Sequence, residues 1–136
     1  MSQENVEVAR RWLEALSGET PDFETALALV HDEIVFVPPG AQAPYEGVES
    51  LRRWMEPDAF QEQEVTSFEP ALVGDRTLLA RLEITARGAT SGIELDVITW
   101  AVFVFADDGL IRRIEVFLDH EQDAAREAAR AAAPGA

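Results

Sequence analysis

Two apolar runs, Ile93 to Phe105 and Leu110 to Leu118, flank the short acidic turn Asp107-Asp108-Gly109. A turn of that composition between two such runs marks an antiparallel hairpin. In the first arm Val97, Thr99, Ala101, Phe103 and Phe105 fall on one face and Ile98, Trp100, Val102 and Val104 on the other, because strand side chains alternate with period 2. Both faces are apolar. A strand with one face in water would alternate with polar residues, so this arm has to be covered twice, by two different covers.

The 136 residues make one domain, residues 1–136, long enough to bury a core without disulfides. Cysteine is absent, which removes disulfides, thiolate metal sites and thiol nucleophiles. The start, MSQENVEVARRW, has no apolar core of a leader, and no run reaches the roughly 18 apolar residues of a spanning helix. The expectation is a cytoplasmic protein with no membrane partner. Net charge is −15, from 26 acidic and 11 basic residues, every basic one an arginine. Such a field repels phosphate backbones, so nucleic acid is not expected as a partner.

Read in order, Ser2 opens a helix to about Ser17 with Val6, Ala9, Leu13 and Leu16 on one face, and Gly18 ends it. Thr20-Pro21 restarts a helix that runs to His31-Asp32. Glu33 to Val37 is a brief strand, and Pro38-Pro39-Gly40 begins a loop through Tyr45. Gly47 to Glu56 forms a third helix closed by Pro57. From there the period becomes strand-like. Glu64 to Val73 is a strand that Pro70 confines to an edge or a bulge, Arg76 to Arg87 alternates cleanly, and Gly88 to Gly92 turns into the central hairpin. An Ala-rich helix from His120 to about Ala132 ends the chain before Pro134. The order predicts an α+β fold, a four-strand antiparallel meander with the helices segregated to one face of a curved sheet.

This order resembles the nuclear-transport-factor-2-like superfamily, and within it the SnoaL-like branch of polyketide cyclases and ketosteroid isomerases. ENVEVARRWLEAL, the short strand into proline with Tyr45-x-Gly47, the RGATSG turn and VFVFADDGLIRRIEVFLD carry the likeness. The resemblance implies a cone whose curved antiparallel sheet wraps a pocket closed by the N-terminal helices, with the convex sheet face commonly pairing two copies. Aligned on the Asp-Gly turn, Leu78, Ala80, Leu82, Ile84, Val97, Thr99, Ala101, Phe103, Ile114, Val116 and Leu118 fall on the concave side. Leu79, Ile98, Trp100, Val102, Val104 and Phe117 fall on the convex side, an apolar patch of the kind that marks association. The expected partners are a small hydrophobic molecule and a second copy of the chain. Across that dimer, Arg81 and Arg113 would meet Glu83 and Glu115.

The isomerase pattern itself is missing. Its base falls at Val37, its acidic donor at Ala101 or Thr99, and its helix tyrosine near Arg11 or Trp12, so that activity is not expected. The Asp-Arg-Asp set of the related epoxide hydrolases has no inward counterpart. The ligand-binding residues implied are Trp12, Val37, Tyr45, Trp54, Leu82, Thr99, Ala101, Phe103 and Val116. Four of them have a plainer role as well: Thr99 as a core residue bonded to backbone, Trp12 and Trp54 as core, Tyr45 as a cap on the core's edge. Tyr45, Asp119 and His120 are the candidates for acid–base chemistry at the mouth, Asp119 alternatively an N-cap for the last helix. His31 reads as a C-terminal helix residue satisfying carbonyls. The two histidines lie far apart, no H-x-x-x-H, P-loop or G-x-S-x-G pattern occurs, and neither metal nor cofactor is expected.

Three functions remain open. The first is a small-molecule-binding protein with an apolar pocket. The second is a cofactor-independent cyclase, isomerase or hydro-lyase acting on a polycyclic or terpenoid-like substrate, and the third is a dimerising interaction module.

Overall fold

The computed structural model describes residues 2–18, 21–40, 43–55, 60–88 and 92–132. Thr20, Pro57, Pro134 and residues 89–91 of the expected Gly88 to Gly92 turn lie outside them. Among the described residues four helices, α1 (Ser2–Ala15), α2 (Phe23–Ala28), α3 (Val48–Met55) and α4 (Gln122–Ala132), accompany six strands. The strands are β1 (Val30–Val37), β2 (Tyr45–Glu46), β3 (Phe60–Gly74), β4 (Thr77–Gly88), β5 (Glu94–Phe105) and β6 (Ile111–Leu118), and they form one sheet in the order β2-β1-β6-β5-β4-β3. Only the β1–β6 pairing is parallel. No described helix is long and apolar enough to cross a membrane.

The central hairpin has the register expected from its turn. Thr99 pairs with Leu82 and Leu118, Ala101 with Ala80 and Val116, and Phe103 with Leu78 and Ile114. Residues directly opposite share a face, so the concave set is continuous across three strands. The turn closes through Ala106 N–H to Leu110 O at 2.8 Å and Leu110 N–H to the Asp108 carboxylate at 3.0 Å. Gly109 there has φ +85°, a conformation costly to any residue with a Cβ. Pro70 sits in β3, the outermost strand, where its missing N–H costs no inner ladder bond.

Several boundaries differ from the sequence reading: β3 begins at Phe60 rather than Glu64, α4 at Gln122 rather than His120, and two further changes lie around β1. Helix α2 stops at Ala28, and Val30 and His31 already belong to β1. The β-branched Val30 pairs with Ile111, whose N–H bonds to Leu29 O at 3.0 Å. His31 therefore caps no helix; its Nδ1 accepts from the Glu33 N–H at 3.0 Å. Tyr45 is in β2 rather than a loop, opposite Phe36.

The helices do not share one face. The main core joins the concave side of the sheet to α1, α2 and α3, through Ala9, Trp12, Leu13, Leu27, Leu51 and Met55. A second core lies on the convex side, where Ala125 and Ala129 of α4 bury Leu79 and Val102. Alanines one turn apart let a helix approach a sheet closely, and Thr77 Oγ1–H to Ala132 O at 3.2 Å holds the far end. Helix α4 of the same chain thus covers Leu79 and Val102. Trp100, half-buried, lies beneath the Arg126 guanidinium at 5.8 Å and donates to Asp119 at 3.4 Å. Arg81 bonds to Glu83 at 2.8 Å and Arg113 to Glu115 at 3.3 Å within the chain, so these pairs do not need a partner either.

Candidate functional site

Phe36 is the centre of the concave side. Parallel pairing with Ile114 of β6 turns it inward, fully buried. Its ring lies 4.4 Å from that of Trp54, 6.4 Å from Trp12 and 6.4 Å from Tyr45, while Trp12 meets Phe103 edge-on at 6.2 Å. Such aromatic contacts give rigid walls. Beside them lies a cavity of about 190 Å³, partly open to solvent. Helix α1 supplies Trp12 and Leu13, the turn after it Leu16, α3 supplies Trp54, and the sheet supplies Val65, Leu82, Ile84, Thr99, Ala101, Phe103, Ile114 and Val116. Ser17, Pro38, Pro39 and Gln63 complete the lining.

Helix α1 is fixed at both ends. Asn5, buried, donates to Asp75 O at 3.0 Å, and Gly18 N–H reaches Gln63 O at 2.8 Å. Ser17 Oγ donates to Leu13 O at 2.8 Å and accepts from Val65 N–H at 3.3 Å, so this polar lining group is already occupied. Two others are not. Among the described residues, Trp12 Nε1 and Thr99 Oγ1 are buried without a hydrogen-bond partner, in residues only 4% and 5% exposed. Unpaired buried polar atoms are uncommon in native proteins and costly.

Among the described residues, none that lines the cavity is ionisable. Of the residues proposed from the sequence, Trp12, Trp54, Leu82, Thr99, Ala101, Phe103 and Val116 line this cavity. Val37 is not among them, because alternation along β1 turns Phe36 inward and Val37 away. Tyr45 packs against the Phe36 ring without lining the cavity. Asp119 bonds to Trp100 on the convex side, and His120 is exposed at the end of β6; neither lines the cavity. Nor does Asp119 cap α4. It opens a 3-10 turn, Asp119–Glu121, in which the Glu121 carboxylate accepts from Leu118 N–H at 2.8 Å. Sequence reasoning missed Phe36, although the alternation of Ile34 and Phe36 was available to identify it. It also missed Ser17, Gln63 and Val65, which the α1–β3 contact brings in. Among the described residues no group of three or more His, Asp or Glu is arranged to hold a metal ion.

Residues 9–114 match the SnoaL-like domain family. No curated protein matches the chain. Among solved structures, a candidate polyketide cyclase of Xanthomonas campestris pv. campestris superposes with a TM-score of 0.76 at 14% identity, covering 90% of this chain and 96% of its own. A candidate SnoaL-like polyketide cyclase of Jannaschia sp. gives 0.73 at 19% identity, covering 95% and 93%. The Δ5-3-ketosteroid isomerase of a Mycobacterium species gives 0.69 at 16% identity, covering 87% and 95%. At such identities the likeness is one of fold, which unrelated chemistries share.

Proposed function

Because the chain belongs to the SnoaL-like domain family, we propose that it is a small-molecule-binding protein that holds a hydrophobic ligand in the concave cavity. The observation that carries this reading is a lining that is mostly aromatic and aliphatic, with the neutral polar Ser17, Gln63 and Thr99 and, among the described residues, no ionisable group. Acid–base catalysis requires a titratable side chain within reach of the reacting atoms. Tyr45, Asp119 and His120, the candidates for that work, stand outside the lining.

The cavity also limits the ligand. At about 190 Å³ it lies below the roughly 300–1,000 Å³ of drug-sized pockets and nearer the ~150 Å³ that admits benzene. One or two fused rings fill it, and a larger polycycle would project through the mouth. The test is titration of the ¹⁵N-labelled protein with indane, following the amides of Leu82, Thr99 and Val116. Saturable shifts at these strands, lost when Ala101→Leu fills the floor, are the expected result. Absence of shifts for indane and for other one- and two-ring compounds would remove the binding reading.

A further inference from the structure

We infer that the open edge of β5 from Glu94 to Ile98 is a docking site for an extended segment of another protein, one that alternates basic and apolar residues and adds itself to the sheet as a further strand. The site is separate from the cavity and does not depend on what the cavity holds.

Strand β6 leaves β5 at Leu118, opposite Thr99, and turns into Asp119–Glu121. From Ile98 back to Glu94, β5 therefore has β4 on one side and no described strand on the other. Gly88 N–H bonds to Ile93 O at 2.9 Å. Bonded and non-bonded pairs alternate along an antiparallel ladder, so Leu95 and Val97 bond to β4 while Glu94 and Asp96 direct their N–H and C=O groups outward. The outer strands of the sheet are guarded against such pairing, β2 by its two-residue length and β3 by Pro70 and by the bonds of Ser17 and Gly18 to Val65 and Gln63. The side chains beside the β5 edge invite it instead. Ile93, Leu95 and Leu118, at 61%, 50% and 37% exposure, are the large apolar side chains that stand out to solvent among the described residues. Leu95 has the parity of Thr99 in a ladder without a shift, and Leu118 is opposite Thr99, so both lie on the concave side. Glu94 and Asp96, both exposed, lie on the convex side. Glu94 is paired with Arg87 at 3.0 Å, whereas Asp96 accepts from the neutral Thr85 hydroxyl at 2.8 Å, which leaves its charge to a partner. An added strand thus meets leucines on one face and carboxylates on the other, the pattern that alternating apolar and basic residues match. A second copy paired antiparallel about Asp96 would set two Asp96 carboxylates directly opposite, which is unfavourable. The net charge of −15 likewise favours a cationic partner.

The probe is the blocked peptide acetyl-Lys-Val-Lys-Val-Lys-amide, as long as the open edge, titrated into the ¹⁵N-labelled protein. Saturable shifts of the Glu94 and Asp96 amides, weakened by salt, are the expected result. Asp96→Pro removes an N–H that β4 does not use and should weaken binding about tenfold, the loss expected of one to two net hydrogen bonds. The lysines face Asp96, so it is their backbone nitrogens that bond to the edge. The peptide methylated at those nitrogens should therefore bind the wild type about tenfold more weakly too, a comparison that stands even where the proline variant does not fold. Undiminished binding of the methylated peptide, or no shift at Asp96, overturns the inference. Equal binding of Lys-Gly-Lys-Gly-Lys overturns it as well, because surface charge alone would then account for the contact. So does a full chain that is dimeric and that Asp96→Pro converts to folded monomers, since the edge would then belong to a second copy.

Discussion

Thr99 places a hydroxyl where packing alone would favour a methyl. A buried hydroxyl without a partner costs about 1–3 kcal/mol, so Thr99→Val should raise stability by about 1 kcal/mol in urea denaturation. A variant less stable than the wild type would mean that the hydroxyl is satisfied within the protein. Asp22 is the opposite case, a polar group fully used. Its carboxylate accepts from Thr25 N–H at 3.1 Å and from the Thr25 hydroxyl at the start of α2, and these bonds lower its pKa below the ordinary 3.8. A depressed carboxylate pKa stabilises the fold above the unfolded value and ceases to do so as pH falls through the folded one. Asp22→Ala should therefore melt lower than wild type at neutral pH, and the gap should close as pH drops below 3.8. A gap unchanged at acid pH would mean that the charge is not what caps the helix. At this scale the sequence was readable only where parity governed. Seven cavity residues followed from alternation or helical spacing, whereas Val37 was placed by family position and the structure turns its neighbour Phe36 inward.

The hairpin was the most legible element because its turn and its period are both local. Asp107-Asp108-Gly109 fixes the register, and a slip of one residue would have put Thr99 on the wrong face. The junction from α2 to β1 was not legible. Phe23 to Val30 carries helical spacing, yet Val30 joins β6 because the sheet offers it a parallel partner in Ile111, a tertiary gain that local spacing cannot show. Helix α4 was foreseen as a helix, but not its place. Its Ala125 and Ala129, at 0% and 1% exposure, lie against Leu79 and Val102. No side chain larger than a methyl fits there without displacing the helix, and a carboxylate would be buried unpaired. Ala125→Asp should cost about 3 kcal/mol or more by chemical denaturation. The exposed Ala124→Asp, one residue away, should stay within about 0.5 kcal/mol of wild type. Equal effects at the two positions would show that the helix does not pack by this face.

At the scale of the molecule, the two-sided strand β5 finds its covers in one chain: α1, α2 and α3 over the concave face and α4 over part of the convex one. The sequence demanded two covers and the resemblance put a second copy over the convex one, whereas α4 covers part of it, because an apolar face is the same whichever surface meets it. Ile98, Trp100, Val104 and Phe117 remain partly exposed on the convex side, and Trp100 is already engaged by Arg126 and Asp119. Burying Leu79 and Val102 is worth roughly 1.5–3 kcal/mol for each side chain, so a chain ending at Glu121 would expose a continuous apolar surface across β4, β5 and β6. Removal of α4 should therefore raise the association state above that of the full chain, seen by light scattering at tens of micromolar, with ligand binding on the opposite face reduced only as far as stability falls. Should the full chain prove dimeric, and Trp100→Glu separate it into folded monomers, then Ile98, Trp100 and Phe117 form an interface beside α4, and the intramolecular cover is only half of what this face requires.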